Sequence, residues 1–137
     1  MELILLIGIA GSGKTTFWEK VFPKHVHISL DEIQGKNRAI EFRILERNLA
    51  LENNIIIDDT NLTKSIRAKF IQRAKKYNTE IKGVFFDYSM SRIQMQNSKR
   101  ETPLPDFVLF KQKKLLESPT KDEGFDYIQI LQDLSFF

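Results

Sequence analysis

The sequence predicts an α/β fold: a mainly parallel sheet of four or five strands sandwiched by helices. Three observations predict it. Short strand-like stretches recur at residues 3–7, 26–29, 55–57 and 81–86, the first and third of them continuously apolar, bounded by glycine, acidic or turn residues, as buried strands are. Between them, apolar residues recur at three- and four-residue spacing, the period of an amphipathic helix. The two patterns alternate along the 137 residues, which argues for stacked βαβ units.

Each element has its own justification. The first strand, residues 3–7, runs into Gly8. A helix is expected to begin near Gly13 and to stop before Pro23, burying Phe17, Val21 and Phe22. Residues 26–29 read as the second strand. Over residues 37–52, Ile40, Ile44, Leu45 and Leu49 have helical spacing, with Arg38, Glu41, Glu46 and Arg47 outside the stripe, and Asn53-Asn54 closes the helix. The third strand ends at Asp58-Asp59. Thr63 is placed to cap the next helix, whose stripe is Ile66, Phe70, Ala74 and Tyr77 and whose opposite face carries Arg67, Lys69, Arg73, Lys75 and Lys76. Residues 81–86 form a fourth strand interrupted by Gly83, residues 89–98 and 105–117 two further helices, and residues 127–131 a fifth strand or an edge. No repeat, linker or low-complexity tract divides the chain, so one domain is expected over residues 1–137.

Composition excludes several classes. With 42% hydrophobic and 28% charged residues, the chain is neither fibrous nor disordered. It has no cysteine, so it has neither a disulfide framework nor a thiolate zinc site. No apolar run approaches the roughly 20 residues that cross a bilayer. The first apolar run is too short for a signal peptide, so a cytoplasmic location is expected, with no membrane partner. The net charge of +3 hides an asymmetry: residues 61–114 hold 13 Lys/Arg against 4 Asp/Glu, net +9, and the rest of the chain is −6. A set of solvated basic helix faces and a positive surface for polyanions both fit this.

Ligands of parallel sheets bind at the carboxyl ends of the strands. Gly8, residues 29–31, residues 58–61 and Asp87 all fall there and are expected to converge. Residues 8–15, GIAGSGKT, fit G-x-x-x-x-G-K-[ST] between a strand and a helix, the pattern of a phosphate-binding P-loop. Gly8, Gly11, Ser12 and Gly13 let backbone N–H groups surround phosphate oxygens. Lys14 reaches the β- and γ-phosphates of a bound ATP, the Thr15 hydroxyl ligates Mg²⁺, and Thr16 completes the run. This motif alone does not separate an ATPase, a GTPase and a kinase.

Three further stretches bear on that choice. ISLDEI sets Asp31 just past the second strand, either to accept a proton from an attacking hydroxyl or as a turn or N-cap aspartate. IIIDDTN ends the third strand with an acid in the Mg²⁺-steadying (Walker B) position. Spacing does not choose between Asp58 and Asp59, which point to opposite sides if extended. QNSKRETPLP puts Lys99 and Arg100 after a helix, where Arg100 can close over the triphosphate or end a solvated helix. His25 and His27 alternate along a strand and read as structural.

Taken together, GIAGSGKTT, ISLDEI, IIIDDTNL and QNSKRETPLP resemble the kinase domain of phage-type polynucleotide 5′-kinases, within the P-loop kinase superfamily. The resemblance spans most of the chain. It implies transfer of the γ-phosphate of ATP to 5′-hydroxyl ends of DNA or RNA. It implies Asp31 as general base and substrate ligand, Lys14 as catalytic phosphate ligand, and Arg100 as the catalytic, nucleotide-binding arginine of a lid over about residues 89–104. Thr15, Asp31 and Asp59 would serve Mg²⁺; Asp59 and Thr60 would contact the substrate, and Leu104 would pack on its terminal base. Where the family carries two further arginines, this chain has Gln34 and Gln96, and Arg38, Arg67 and Arg92 are the candidates to replace them. No D-x-D-G-T motif follows, so any phosphatase or ligase activity is expected from a separate partner polypeptide. The remaining readings are a P-loop phosphotransferase acting on a nucleoside, antibiotic or sugar nucleotide, and a nucleotide-binding switch.

Overall fold

The apolar runs become the strands of one sheet in the computed structural model, which describes residues 1–133; the last four residues of the expected 1–137 domain lie outside the described residues. Strands β1 (Glu2–Ile7), β2 (Val26–Ile28), β3 (Ile55–Ile57), β4 (Glu80–Asp87) and β5 (Tyr127–Gln132) lie in the order β2-β3-β1-β4-β5. Every neighbouring pair is parallel. Central β1 is covered on both faces, so from Leu3 to Ile7 no residue is more than 1% exposed, and its sequence is apolar without alternation. Residues 127–131, open between strand and edge in the sequence, form β5 at the sheet edge.

Helices cover both faces. Leu3, Leu5, Ile7, Ile55 and Ile57 pack against α2 (Arg38–Ala50) and α3 (Lys64–Ala74). Ile4, Leu6, Ile56, Val84 and Phe86 pack against Phe17, Trp18 and Phe22, from and just beyond α1 (Lys14–Val21). At the carboxyl end of the sheet, α4 (Met90–Ser98) and α5 (Asp106–Leu115) close over Ile9 through Ile93 and Leu109. The starts of three helices are fixed by caps: Asn37 accepts from the N–H groups of Ala39 and Ile40, Thr63 from Ile66, and Ser89 from Arg92.

Four local expectations are corrected. Helix α2 is turned so that Glu41 is fully buried beside Leu45 and Leu49, while Ile40 and Ile44 reach solvent. Val21 is 52% exposed on the last turn of α1. Arg67, expected on an open basic face, is fully buried. A buried guanidinium needs counter-charge and acceptors. Arg67 Nε and Nη2 donate to both carboxylate oxygens of Glu123, at 2.8 and 3.1 Å, and Nη1 donates to the carbonyls of Asn61 and Leu62. Finally, β4 runs uninterrupted through Gly83. A Cβ there would stand 3.1 Å from the Phe125 ring, so glycine makes room for that ring without breaking the strand.

Candidate active site

The loop between β1 and α1 is shaped by two left-handed glycines, Gly11 (φ 85) and Gly13 (φ 87), a conformation side chains resist. Gly8 donates its N–H to the Thr60 carbonyl at 3.0 Å, joining the loop to the turn after β3. The buried Ser12 hydroxyl donates to the Ile9 carbonyl at 2.6 Å and braces the loop from inside. Gly13 caps α1 with no side-chain acceptor. The first N–H groups of α1 are therefore left for an anion, as at phosphate-binding helix termini.

Lys14 is almost buried, and its Nζ donates to the carbonyls of Gly8 and Ile9, both at 2.9 Å. Among the described residues it makes no ion pair. Burial pulls its pKa down to about 8, against the raising pull of the carboxylates of Asp58, Asp59 and Asp31, while Arg100 adds to the lowering. An ammonium held this way, at the mouth of a loop of free N–H groups, is a receptor for phosphate oxygens.

Thr15 decides between the two aspartates. Its hydroxyl donates to Asp58 Oδ2 at 2.6 Å. The register explains why. Ile56 packs on the α1 side of the sheet and Ile57 on the other, so the alternation returns residue 58 to the α1 side. Asp59 turns away: its Oδ1 accepts the Leu30 N–H at 2.8 Å and its Oδ2 pairs with Arg38 Nη1 at 3.0 Å. Asp58, rather than Asp59, thus faces Thr15 beside the loop, while Asp59 anchors the turn that carries Asp31. Arg38 also pairs with the buried Glu41 at 2.7 Å. Burial and then the neighbouring Asp59 push the Glu41 carboxyl up to about 8.

His27, like Asp58, belongs to the α1 side, because it registers with Ile56. Its Nε2 lies 2.7 Å from Asp58 Oδ2, and its ring stacks on Trp18 at 4.1 Å between centroids. A residue read from sequence as structural therefore braces the acid facing Thr15. Its place in the strand alternation, level with Ile56, is the sequence signal for that role.

A cleft of about 630 Å³ opens over these groups. Gly11, Ser12, Gly13, Lys14, Thr15 and Thr16 line one wall, Asp31, Asp58, Asp59 and Thr60 another, and Arg92, Gln96, Lys99 and Arg100 a third. Asp31 lies on the short turn Leu30–Glu32, with its side chain 82% exposed and 3.3 Å from Lys36. Arg100 follows the last turn of α4 and is exposed. Several expected members lie elsewhere, among them Asn61, which is buried with its side-chain amide donating to the Leu6 carbonyl at 2.7 Å. Gly8 supports the loop from behind the lining, and Asp87 pairs with Gln132 at the β5 edge. Leu104 is half-buried against the cluster of Ile9, Ile93 and Leu109, its backbone held at both ends by the Asn97 amide. Of the three candidate arginines only Arg92 lines the cleft, lying over the Tyr88 ring at 3.7 Å.

The sequence family described as AAA domain matches residues 3–119. The bifunctional polynucleotide phosphatase/kinase of Schizosaccharomyces pombe is 26% identical over 135 residues, which are 93% of this chain and 33% of that protein. The chain therefore spans about a third of the length of that relative. Among solved structures, Chaetomium thermophilum Kti12 in complex with ADP-AlF3 has a TM-score of 0.73 at 16% identity, covering 95% of this chain and 88% of that one. A gluconokinase from Sinorhizobium meliloti has a TM-score of 0.69 at 17% identity, covering 96% and 82%. A fungal RNA kinase has a TM-score of 0.63 at 19% identity, covering 95% and 74%. With a parallel five-stranded sheet, a phosphate loop ahead of α1 and a family match across most of its length, this chain belongs to the AAA domain family and has the α/β P-loop NTPase fold.

Proposed function

We propose that the chain is an ATP-dependent kinase that transfers the γ-phosphate to the 5′-hydroxyl end of a DNA or RNA strand. The observation that carries this reading is that one cleft brings together Lys14 and Thr15, the exposed carboxylate of Asp31 and the guanidinium of Arg100. A nucleotide-binding switch that only holds and releases its ligand has no need of a solvent-facing carboxylate across from the phosphate loop. An in-line transfer to an alcohol does, because the attacking hydroxyl must lose its proton.

In this reading ATP supplies the phosphoryl group, seated on the loop N–H groups and Lys14. Thr15 and Asp58 fit an Mg²⁺ site, being oxygen donors 2.6 Å apart beside the loop. Asp31 takes the proton from the acceptor hydroxyl, and Arg100 meets the charge that develops on the transferring group. Thr60 lies where the acceptor strand enters. A polynucleotide acceptor is supported by the DTNL and NSKR motifs, by the similarity to the S. pombe protein and by the excess of positive charge over residues 61–114. A cytoplasmic enzyme that restores ends for ligation fits this chemistry.

One observation favours a small-molecule acceptor: sugar kinases share the fold, and Gln34 and Gln96 stand where the resembling family has arginines. The test is incubation with γ-labelled ATP, Mg²⁺ and a panel of 5′-OH oligonucleotides, nucleosides and sugars. Label is expected on the oligonucleotides, with affinity falling steeply as salt rises, because bound phosphates release counterions. Transfer to a nucleoside or sugar alone would overturn the polynucleotide acceptor.

A further inference from the structure

We propose that the outer face of α5 is the track on which a single-stranded nucleic acid lies beyond its reacting end, an inference that rests on the polynucleotide reading. The helix has two unlike faces. Its inner face is bolted to the phosphate loop: Leu109 is fully buried with Ile9, and the Gln112 side-chain carbonyl accepts the Ala10 N–H at 2.8 Å. Its outer face presents Phe107, 71% exposed, and Phe110, 48% exposed, with Lys111 and Lys114. These four positions are spaced i, i+3, i+4 and i+7, so they share one side of the helix.

A phenylalanine gains nothing by facing water, and two on one stripe mark a surface made to be covered. The lysines beside them define the cover. In the basic stretch Arg67, Lys76, Lys82 and Arg92 pair with Glu123, Glu46, Glu2 and Asp133. Lys111 and Lys114 make no ion pair among the described residues. Rings interleaved with unpaired ammonium groups suit a chain that alternates a flat base with a phosphate. At about 1.5 Å of rise per residue the stripe is about 10 Å long, room for two to three nucleotides. The placement also fits: α5 begins just after Leu104 and Pro105, at the end of the connection that carries the cleft residues Lys99 and Arg100.

The test uses a labelled single-stranded 5′-OH decamer, read by fluorescence anisotropy and by transfer kinetics, with a dinucleotide acceptor as the short reference. F107A/F110A is expected to weaken decamer binding about thirtyfold or more, one lost stack per ring. It should lower the decamer-to-dinucleotide ratio of kcat/KM by a similar factor. The melting temperature should hold, since both rings are exposed. K111E/K114E is expected to flatten the salt dependence of decamer binding by roughly 1.4 in log–log slope, two contacts at about 0.7 each. Unchanged decamer affinity in both variants overturns the track. So does equal loss on decamer and dinucleotide, which would mean an effect through the cleft, and so does an altered oligomeric state with decamer affinity intact, which would mean a protein contact. A wild-type protein that neither binds nor phosphorylates any nucleic acid refutes the polynucleotide reading itself. One that phosphorylates the decamer but is indifferent to Phe107 and Phe110 refutes only the track.

Discussion

The phosphate-loop wall of the cleft, with its Asp58 brace, and the groups facing it are built to different standards. On the phosphate wall, Lys14 is held by two carbonyls, Ser12 by one, and Thr15 by Asp58, which His27 braces in turn. Nothing there needs to move when a triphosphate arrives. On the facing walls Asp31 has its carboxylate in water against one exposed lysine, and Arg100 is free at a helix end. Preorganisation is costly where a charge must be kept dry, so it is concentrated at the invariant part of the reaction, the triphosphate. In the proposed reaction the groups that would meet the acceptor are the solvated ones, to be positioned by the substrates.

If this contrast is right, damage to the dry wall is the more complete. Lys14→Ala should abolish phosphoryl transfer, measured with labelled ATP, while the protein still melts no lower than wild type. The stability part follows from the sign of the shift. A lysine whose pKa is lowered from 10.5 to about 8 is a charge the fold tolerates at a cost. Stability gained from its deprotonation appears only as pH rises from about 8 toward 10.5, so at neutral pH removing the amine relieves the fold. A marked drop in melting temperature would show Lys14 to be part of the structure rather than held for a ligand.

The open walls should respond in degrees. Asp31→Asn keeps shape and should leave ATP binding in place, yet lower transfer by about 10²- to 10⁴-fold, the contribution of a positioned proton acceptor. Arg100→Ala should lower kcat by about 10²-fold, and Arg100→Lys should not fully restore it, because a point charge lacks the planar fork. Full activity of the Asp31 variant on every acceptor would reduce Asp31 to a turn residue and remove the distinction between the walls.

The smallest effect lies behind Asp59. Glu41 has its pKa raised from 4.5 to about 8. As pH rises through that window the unfolded chain releases the proton before the folded one does, so this group lowers stability from about pH 5 to pH 8. Glu41→Gln should remove the decline, and melting curves should show the variant gaining on wild type as pH rises. An equal difference at both ends of the range would mean that Glu41 is already ionised in the fold.

What the sequence could reveal depended on how local each cause was. The phosphate loop, the strands and the Thr63 cap are specified by residues within a few positions of one another. The buried side of α2 is not. Ile40, Ile44, Leu45 and Leu49 satisfy helical spacing, and so do Glu41, Leu45 and Leu49; the buried Glu41 is held by Arg38 of the same helix, which also pairs with Asp59 beyond the next strand, a contact that no apolar pattern records. Arg67 looked like a surface cation because its partner, Glu123, is 56 residues away. Asp58 was within reach of sequence reasoning, for strand alternation separates it from Asp59, but only the position of α1 tells which side is which.

The Arg67–Glu123 pair has a consequence for where this protein can be cut. The family match ends at residue 119, which invites a truncation there. Such a cut would take away Glu123, the anion of the buried Arg67 guanidinium, together with strand β5 and the buried Phe125 ring, and breaking a buried pair on one side is by itself strongly destabilising. Because the same guanidinium grips the carbonyls of Asn61 and Leu62, the slackening would travel to the turn that meets Gly8. The folding unit and the recognisable sequence unit thus have different borders.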